Sequence, residues 1–195
     1  LLGTSSSESG MGVIVDSSNN IYVTGYTQGA LDGTNSGAND IFLVKYSDNG
    51  TKQWTKQLGT SADDRGYGVT VDSSDNIYVT GRTGGSLDSI ANSGGSDIFL
   101  VKYSDNGTKQ WTKLLGTSSD DYGFGVTVDS SDNIYVTGYT EGELDNNTNS
   151  GSLDIFLVKY NSSGDKQWTE LLGTSSSESG MGVIVDSSNN IYVTG

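Results

Sequence analysis

Apolar residues in this chain fall in short alternating runs, separated by polar stretches rich in glycine, serine and asparagine. Between Leu58 and Leu114 four runs stand out, at residues 67–71, 76–83, 97–103 and 108–115. Period-two alternation and β-branched or aromatic content predict a strand for each. Residues Ile98-Phe99-Leu100-Val101 are apolar on both faces, as expected of a strand with packed layers on either side. Glycines at 66 and 68 flank the start of the first run and predict close approach of another backbone. Helix periodicity is weak throughout.

Punctuation between the runs predicts hairpins. Asp72-Ser73-Ser74-Asp75-Asn76 joins the first two, because Asp, Ser and Asn bond their own backbone and accept turn geometry. Ser104-Asp105-Asn106-Gly107 joins the last two, and Asn-Gly between apolar runs is a strong short hairpin signal.

The pattern repeats. Leu-Gly-Thr-Ser recurs at Leu2, Leu58, Leu115 and Leu172, with spacings of 56, 57 and 57 residues. The units are 1–57, 58–114 and 115–171, with a partial unit at 172–195. The one-residue difference falls after Leu31-Asp32, in a stretch that is therefore a loop. A longer period lies above this one. Residues 1–25 and 171–195 are the same string, so a block of 170 residues starts again at Leu171. Either a longer chain repeats that block, or overlapping ends were designed. The start at Leu1 and the stop inside a strand-like run both suggest a cut from a longer polypeptide.

Four antiparallel strands per unit, in series, predict an all-β fold of tandem blades of β-propeller type. A stacked β-solenoid is the alternative. The stretches Asp120-Asp121-Tyr122-Gly123-Phe124-Gly125-Val126-Thr127-Val128-Asp129 and Asp132-Asn133-Ile134-Tyr135-Val136-Thr137-Gly138 resemble the seven-bladed β-propeller repeat family, SBBP. The resemblance covers the whole chain and implies four-stranded blades in a secreted or surface protein of bacteria or archaea. It implies no particular chemistry. The loop after the second strand departs from the family pattern, being Gly/Ser/Asn-rich where proline is usual. The 3.4 units present are fewer than the four blades of the smallest closed propellers, which predicts an open array or part of a longer chain.

Charge narrows the function classes. The net charge is −14, which argues against nucleic acid and against anionic lipid. No apolar run approaches membrane-spanning length, so no membrane insertion is expected. The chain has no cysteine and no histidine, which excludes thiolate zinc sites and removes the commonest general base.

Each candidate chemistry has a plainer alternative. Asp72 and Asp75, with Asp129 and Asp132, cluster oxygen ligands suited to calcium, or simply build hairpin turns. The pair Asp63-Asp64 recurs as Asp120-Asp121 but becomes Ser7-Glu8 and Ser177-Glu178, so it is not a uniform site. Trp54, Trp111 and Trp168 hold one place in each unit and serve either as sugar-stacking platforms or as blade packing. Sequons at Asn49, Asn106 and Asn161 fall at one turn per unit and predict either glycosylation or turn formation, with an extra sequon at Asn146. Lysines gather on the third and fourth strands, as solvated edges or as charges complementary to a neighbouring blade.

The expectation is a non-enzymatic extracellular or cell-surface protein, its blades forming a structural or adhesive fibre. No cofactor is expected, calcium aside. The expected partners are copies or neighbouring repeats of itself. The alternative is a closed propeller that binds carbohydrate or protein through its variable loops.

Overall fold

A computed structural model describes residues 2–195. Its strands are β1 (Glu8–Val15), β2 (Ile21–Thr27), β3 (Asp40–Tyr46) and β4 (Lys52–Leu58) in the first blade. The second blade holds β5 (Asp64–Val71), β6 (Ile77–Thr83), β7 (Asp97–Tyr103) and β8 (Lys109–Leu115). The third holds β9 (Asp121–Val128), β10 (Ile134–Thr140), β11 (Asp154–Tyr160) and β12 (Lys166–Leu172). A hairpin of β13 (Gly182–Val185) and β14 (Ile191–Thr194) begins a fourth. Each full blade is a four-stranded antiparallel meander, and among the described residues no sheet closes on itself.

The first strands extend further than the alternation predicts. β5 begins at Asp64 because the chain stays paired through a bulge between Gly66 and Gly68, which breaks the period-two pattern. The second and fourth strands begin one residue later than predicted, at Ile77 and Lys109, because Asn76 and Thr108 close the turns before them.

First strands line the inner edge: β1 packs on β5, β5 on β9 and β9 on β13. The predicted close approach is there. A Cβ on Gly12 would lie 2.8 Å from the carbonyl oxygen of Tyr67, and one on Gly68 would lie 2.6 Å from that of Phe124. Only glycine leaves room for the next blade's backbone.

The cores sit between blades. Tyr22, Ile41 and Leu43 of the first blade pack with Val69, Ile77, Val79, Phe99 and Val101 of the second. Tyr78, Ile98 and Leu100 leave the other face of the second blade and pack with Val136, Phe156 and Val158 of the third. Alternate residues of one strand thus serve opposite neighbours, which is why β7 is buried at nearly every position.

Candidate functional site

The chemistry-bearing residues concentrate where one blade meets the next. At one end of each blade lies the Asp-Ser-Ser-Asp/Asn-Asn turn. The fourth residue has positive φ: Asn19 (64°), Asp75 (59°), Asp132 (59°) and Asn189 (62°). Asp and Asn tolerate this left-handed backbone better than other non-glycine residues, which explains the alternation between them at that place.

The first aspartate of the turn is consumed locally. Asp72 Oδ1 accepts from the backbone N–H of Ser74 and Asn76, both at 2.9 Å. Its Oδ2 accepts from Asn76 Nδ2 at 2.8 Å and the Tyr78 hydroxyl at 2.9 Å. Asp129 repeats the arrangement with Ser131, Asn133 and Tyr135. Burial pushes these carboxyls up, but the donors outweigh it and hold both below the usual carboxylate range.

The fourth residue faces the preceding blade. Asp132 accepts from Ser73 through its backbone N–H (3.2 Å) and hydroxyl (3.1 Å). Asp75 accepts from Ser17 at 3.2 Å, and Asn189 from Ser130 at 3.3 Å. The four calcium candidates therefore divide into two turn-formers and two rungs of a ladder between blades. Among the described residues no group of three or more His, Cys, Asp or Glu is placed to hold a metal ion.

The outer hairpin caps the neighbouring blade. Gly50, Gly107 and Gly164 have φ of 81°, 80° and 79°, so the same backbone serves Asn-Gly and Ser-Gly alike. Asp105, in the β7–β8 turn, reaches back to the first blade. Its carboxylate pairs with Lys45 and accepts from the Tyr22 hydroxyl at 2.9 Å, and its carbonyl accepts from Trp54 Nε1 at 3.2 Å. Burial and the two acidic partners push the Tyr22 phenol far up. Trp54 and Trp111 lie under the turns of the following blades: a Cβ on Gly107 would come within 3.2 Å of the first ring, and one on Gly164 within 3.1 Å of the second. Trp168 tilts against Tyr135 in its own blade, as Trp54 does against Tyr22 and Trp111 against Tyr78.

Not every junction is alike. Ser162 stands where the second blade has Asp105, so Lys102 turns to the carbonyl of Ser162 (3.5 Å) and to Asp72 of its own blade (3.6 Å). The lysines thus divide. Lys45 answers a charge on the next blade, whereas Lys109 and Lys166 pair within their own blade with Asp88 and Asp145.

Asn49 and Asn106 occupy one position of the outer turn and accept from Thr51 and Thr108. Asn161 sits two places earlier, where the other blades have Ser47 and Ser104, and it accepts from Ser163 and Asp165. The third sequon therefore shares the turn but not the position.

At the opposite end, Asp64 and Asp121 are fully buried, held by Thr60 and Thr83 or by Thr117 and Thr140. Glu8 makes the same contacts to Thr4 and Thr27 with a longer side chain, so Ser-Glu replaces Asp-Asp without loss of the motif. Asp97 is also fully buried, and its Oδ1 has no hydrogen-bond partner. Burial pushes Asp97 and Asp121 up, and at Asp121 the like charge of Asp97 adds to the rise.

The variable loops are pinned at one place. Leu87 and Leu144 are buried, while Asp88 and Asp145 bond Thr112 and Thr169 on the fourth strand of their own blade.

One cluster has no counterpart in the period. Arg65 and Arg82 share Asp63, and they cover the rings of Tyr26 in the first blade (4.7 Å) and Tyr122 in the third (4.8 Å). Tyr122 stacks on Tyr139 with centroids 4.8 Å apart. The signal was present in the sequence: the only two arginines stand in one unit, at positions that hold other residues elsewhere.

Comparison with known proteins identifies the repeat. The model of the SBBP β-propeller repeat matches residues 1–31, 53–88, 110–145 and 167–195. An uncharacterised WD repeat-containing protein, L264, of Acanthamoeba polyphaga mimivirus is 29% identical over 88% of this chain and 16% of its own length. The regulatory protein FlaEY of Caulobacter vibrioides is 28% identical over 80% of this chain and 18% of its own. The chain thus spans less than a fifth of either relative. An X-ray structure described as a candidate gluconolactonase aligns with 93% of this chain and 53% of its own at 12% identity, with a TM-score of 0.49. Because the repeat matches four stretches that together cover more than half of the chain, the chain belongs to the β-propeller repeat family, SBBP.

Proposed function

We propose that this chain is a non-enzymatic structural or adhesive element of the cell exterior, its blades the building blocks of a surface fibre. The observation that carries the reading is the junction itself. Most of the charged and aromatic side chains that would otherwise suggest a site are engaged by the next blade or by their own turn. Ser73 meets Asp132, and Trp54 meets Asp105. Self-similar contacts of this kind extend an array without needing a ligand. The names of the relatives specify no reaction. The acidity suits a saline or calcium-rich exterior and keeps such an array soluble. Antibodies against the loop around Ile90 should label intact cells. Labelling that needs permeabilised cells would overturn the surface assignment.

A second reading, a closed propeller binding carbohydrate or protein, draws on the arginine–tyrosine cluster, because that cluster occurs once rather than in every blade. Binding on a glycan array, lost in a folded Arg82→Ala variant, would support it.

A further inference from the structure

Arg65 and Arg82 are register partners on β5 and β6, so two cations stand directly opposite each other. Like charges in that position destabilise a sheet. The third blade shows that packing does not need them. Tyr122 and Tyr139 are the equivalent register partners there, and they stack on each other with no charge involved. The first blade pairs Ser9 with Tyr26 at the same level. A costly arrangement kept in one blade, while both neighbours manage with neutral residues, marks a site rather than a joint.

Asp63 offsets the repulsion only in part. Its single carboxylate takes Nε of Arg65 at 3.1 Å and Nη2 at 3.0 Å, and it also pairs with Nη2 of Arg82. Two guanidiniums on one carboxylate leave one positive charge over, on a chain of net charge −14. Arg82 is held firmly: Nη1 donates to Ser96 Oγ at 3.0 Å and Nε to the Tyr67 hydroxyl at 3.4 Å. Nη1 of Arg65 makes no hydrogen bond among the described residues, and 31% of that side chain is exposed. Arg65 is thus the open cation and Arg82 the fixed one. Half-buried rings surround them. Arg65 covers Tyr26 and Arg82 covers Tyr122, while Tyr67 and Phe124 tilt together with centroids 5.1 Å apart. The further acids here, Asp120 and Glu141, act on Tyr139 at the far end of the row.

We propose that this cluster binds a saccharide bearing one carboxylate, such as a uronic acid residue. The planar guanidinium of Arg65 matches a carboxylate as an ammonium does not, and these two are the only arginines in the chain. One charge left over calls for one carboxylate, since a polyanion would meet the repulsion of the acidic chain. The rings suit the apolar C–H face of a pyranose, and the tyrosine hydroxyls suit its hydroxyls. The inference deepens the second reading above by naming the ligand class, and it rests on the binding part of that reading, not on closure of a ring.

The test is isothermal titration calorimetry of the 195-residue chain with three probes: a glucuronate–glucose disaccharide, its methyl ester, and acetate. The disaccharide should bind. The ester keeps the shape and loses the charge, and acetate keeps the charge and loses the ring; each should bind about tenfold more weakly. Arg65→Gln should raise the dissociation constant for the disaccharide about tenfold. Asp63→Asn removes the carboxylate that competes for both guanidiniums and should lower it about fivefold, which damage to the fold would not do. Circular dichroism checks that both variants are folded. No binding of the disaccharide would overturn the inference, as would equal binding of the ester or of acetate, or an unchanged affinity in folded Arg65→Gln. Equal binding of acid and ester would remove the carboxylate and leave carbohydrate binding standing. A glycan array blank for every sugar would remove both.

Discussion

The hydroxyl of Tyr22 lies 3.0 Å from Asp16 in its own turn and 2.9 Å from Asp105 in the next blade. One phenol therefore ties a hairpin to its neighbour, through a carboxylate that also meets Lys45. Tyr78, at the same place in the second blade, bonds only Asp72, because Ser162 replaces the second acceptor. Tyr22→Phe should cost about 1–2 kcal/mol. A double-mutant cycle in denaturant between Tyr22→Phe and Asp105→Ala should show coupling of about 1 kcal/mol, and the cycle between Tyr78→Phe and Ser162→Ala should show almost none.

Glycine at the inner strands sets how closely blades approach. Gly68→Ala places a methyl against the carbonyl of Phe124, an atom that cannot move without moving the third blade. A loss of about 2–3 kcal/mol is expected in chemical denaturation. Gly50→Ala meets open space and suffers only from its positive φ, so about 1 kcal/mol is expected there.

Trp111 is packed between Tyr78 and the turn of Gly164, whereas Trp168 tilts against Tyr135 with no such turn over it among the described residues. Trp111→Ala should destabilise the chain by about 3 kcal/mol, and Trp168→Ala by clearly less. Equal losses in thermal unfolding would mean that the turn above Trp111 contributes nothing.

Two kinds of aspartate give opposite pH signatures. Asp72 and Asp129 have folded pKa values below their unfolded ones, so their stabilisation is present above the unfolded pKa and is lost as pH falls through the folded one. Asp97 and Asp121 have raised folded values, so their contribution is favourable below the unfolded pKa and is lost as pH rises through the folded one. Asp72→Asn should be less stable than the unmodified chain at pH 7, with the gap narrowing in acid. Asp97→Asn should be more stable at pH 7, since its amide keeps the bond from Ser93 and removes a buried charge; that gain should shrink as pH falls through the raised folded value and be gone below about pH 4. Denaturant titrations at the two pH values read both.

Much of the fold was legible because one physical cause was at work at each place. Alternation marked the strands, Asp-Ser-Ser-Asp-Asn and Asn-Gly marked the turns, and Gly68 marked the close approach. Function was harder to read because identical motifs face different neighbours. Lys45 and Lys102 hold the same place in identical strands, yet Lys45 meets the carboxylate of Asp105 and Lys102 the carbonyl of Ser162. Whether Trp54 is a ligand platform or a packing residue depends on a residue 51 positions away in another blade, and no local pattern carries that. The arginine–tyrosine cluster escaped notice for the opposite reason: a reading built on what repeats passes over what occurs once.

The central claim is that these blades continue one upon another as building blocks of a fibre. Negative-stain imaging of the native protein tests it most directly. The account predicts extended particles in which the blade unit recurs along the axis. Discs with a central channel, uniform in diameter, would contradict it.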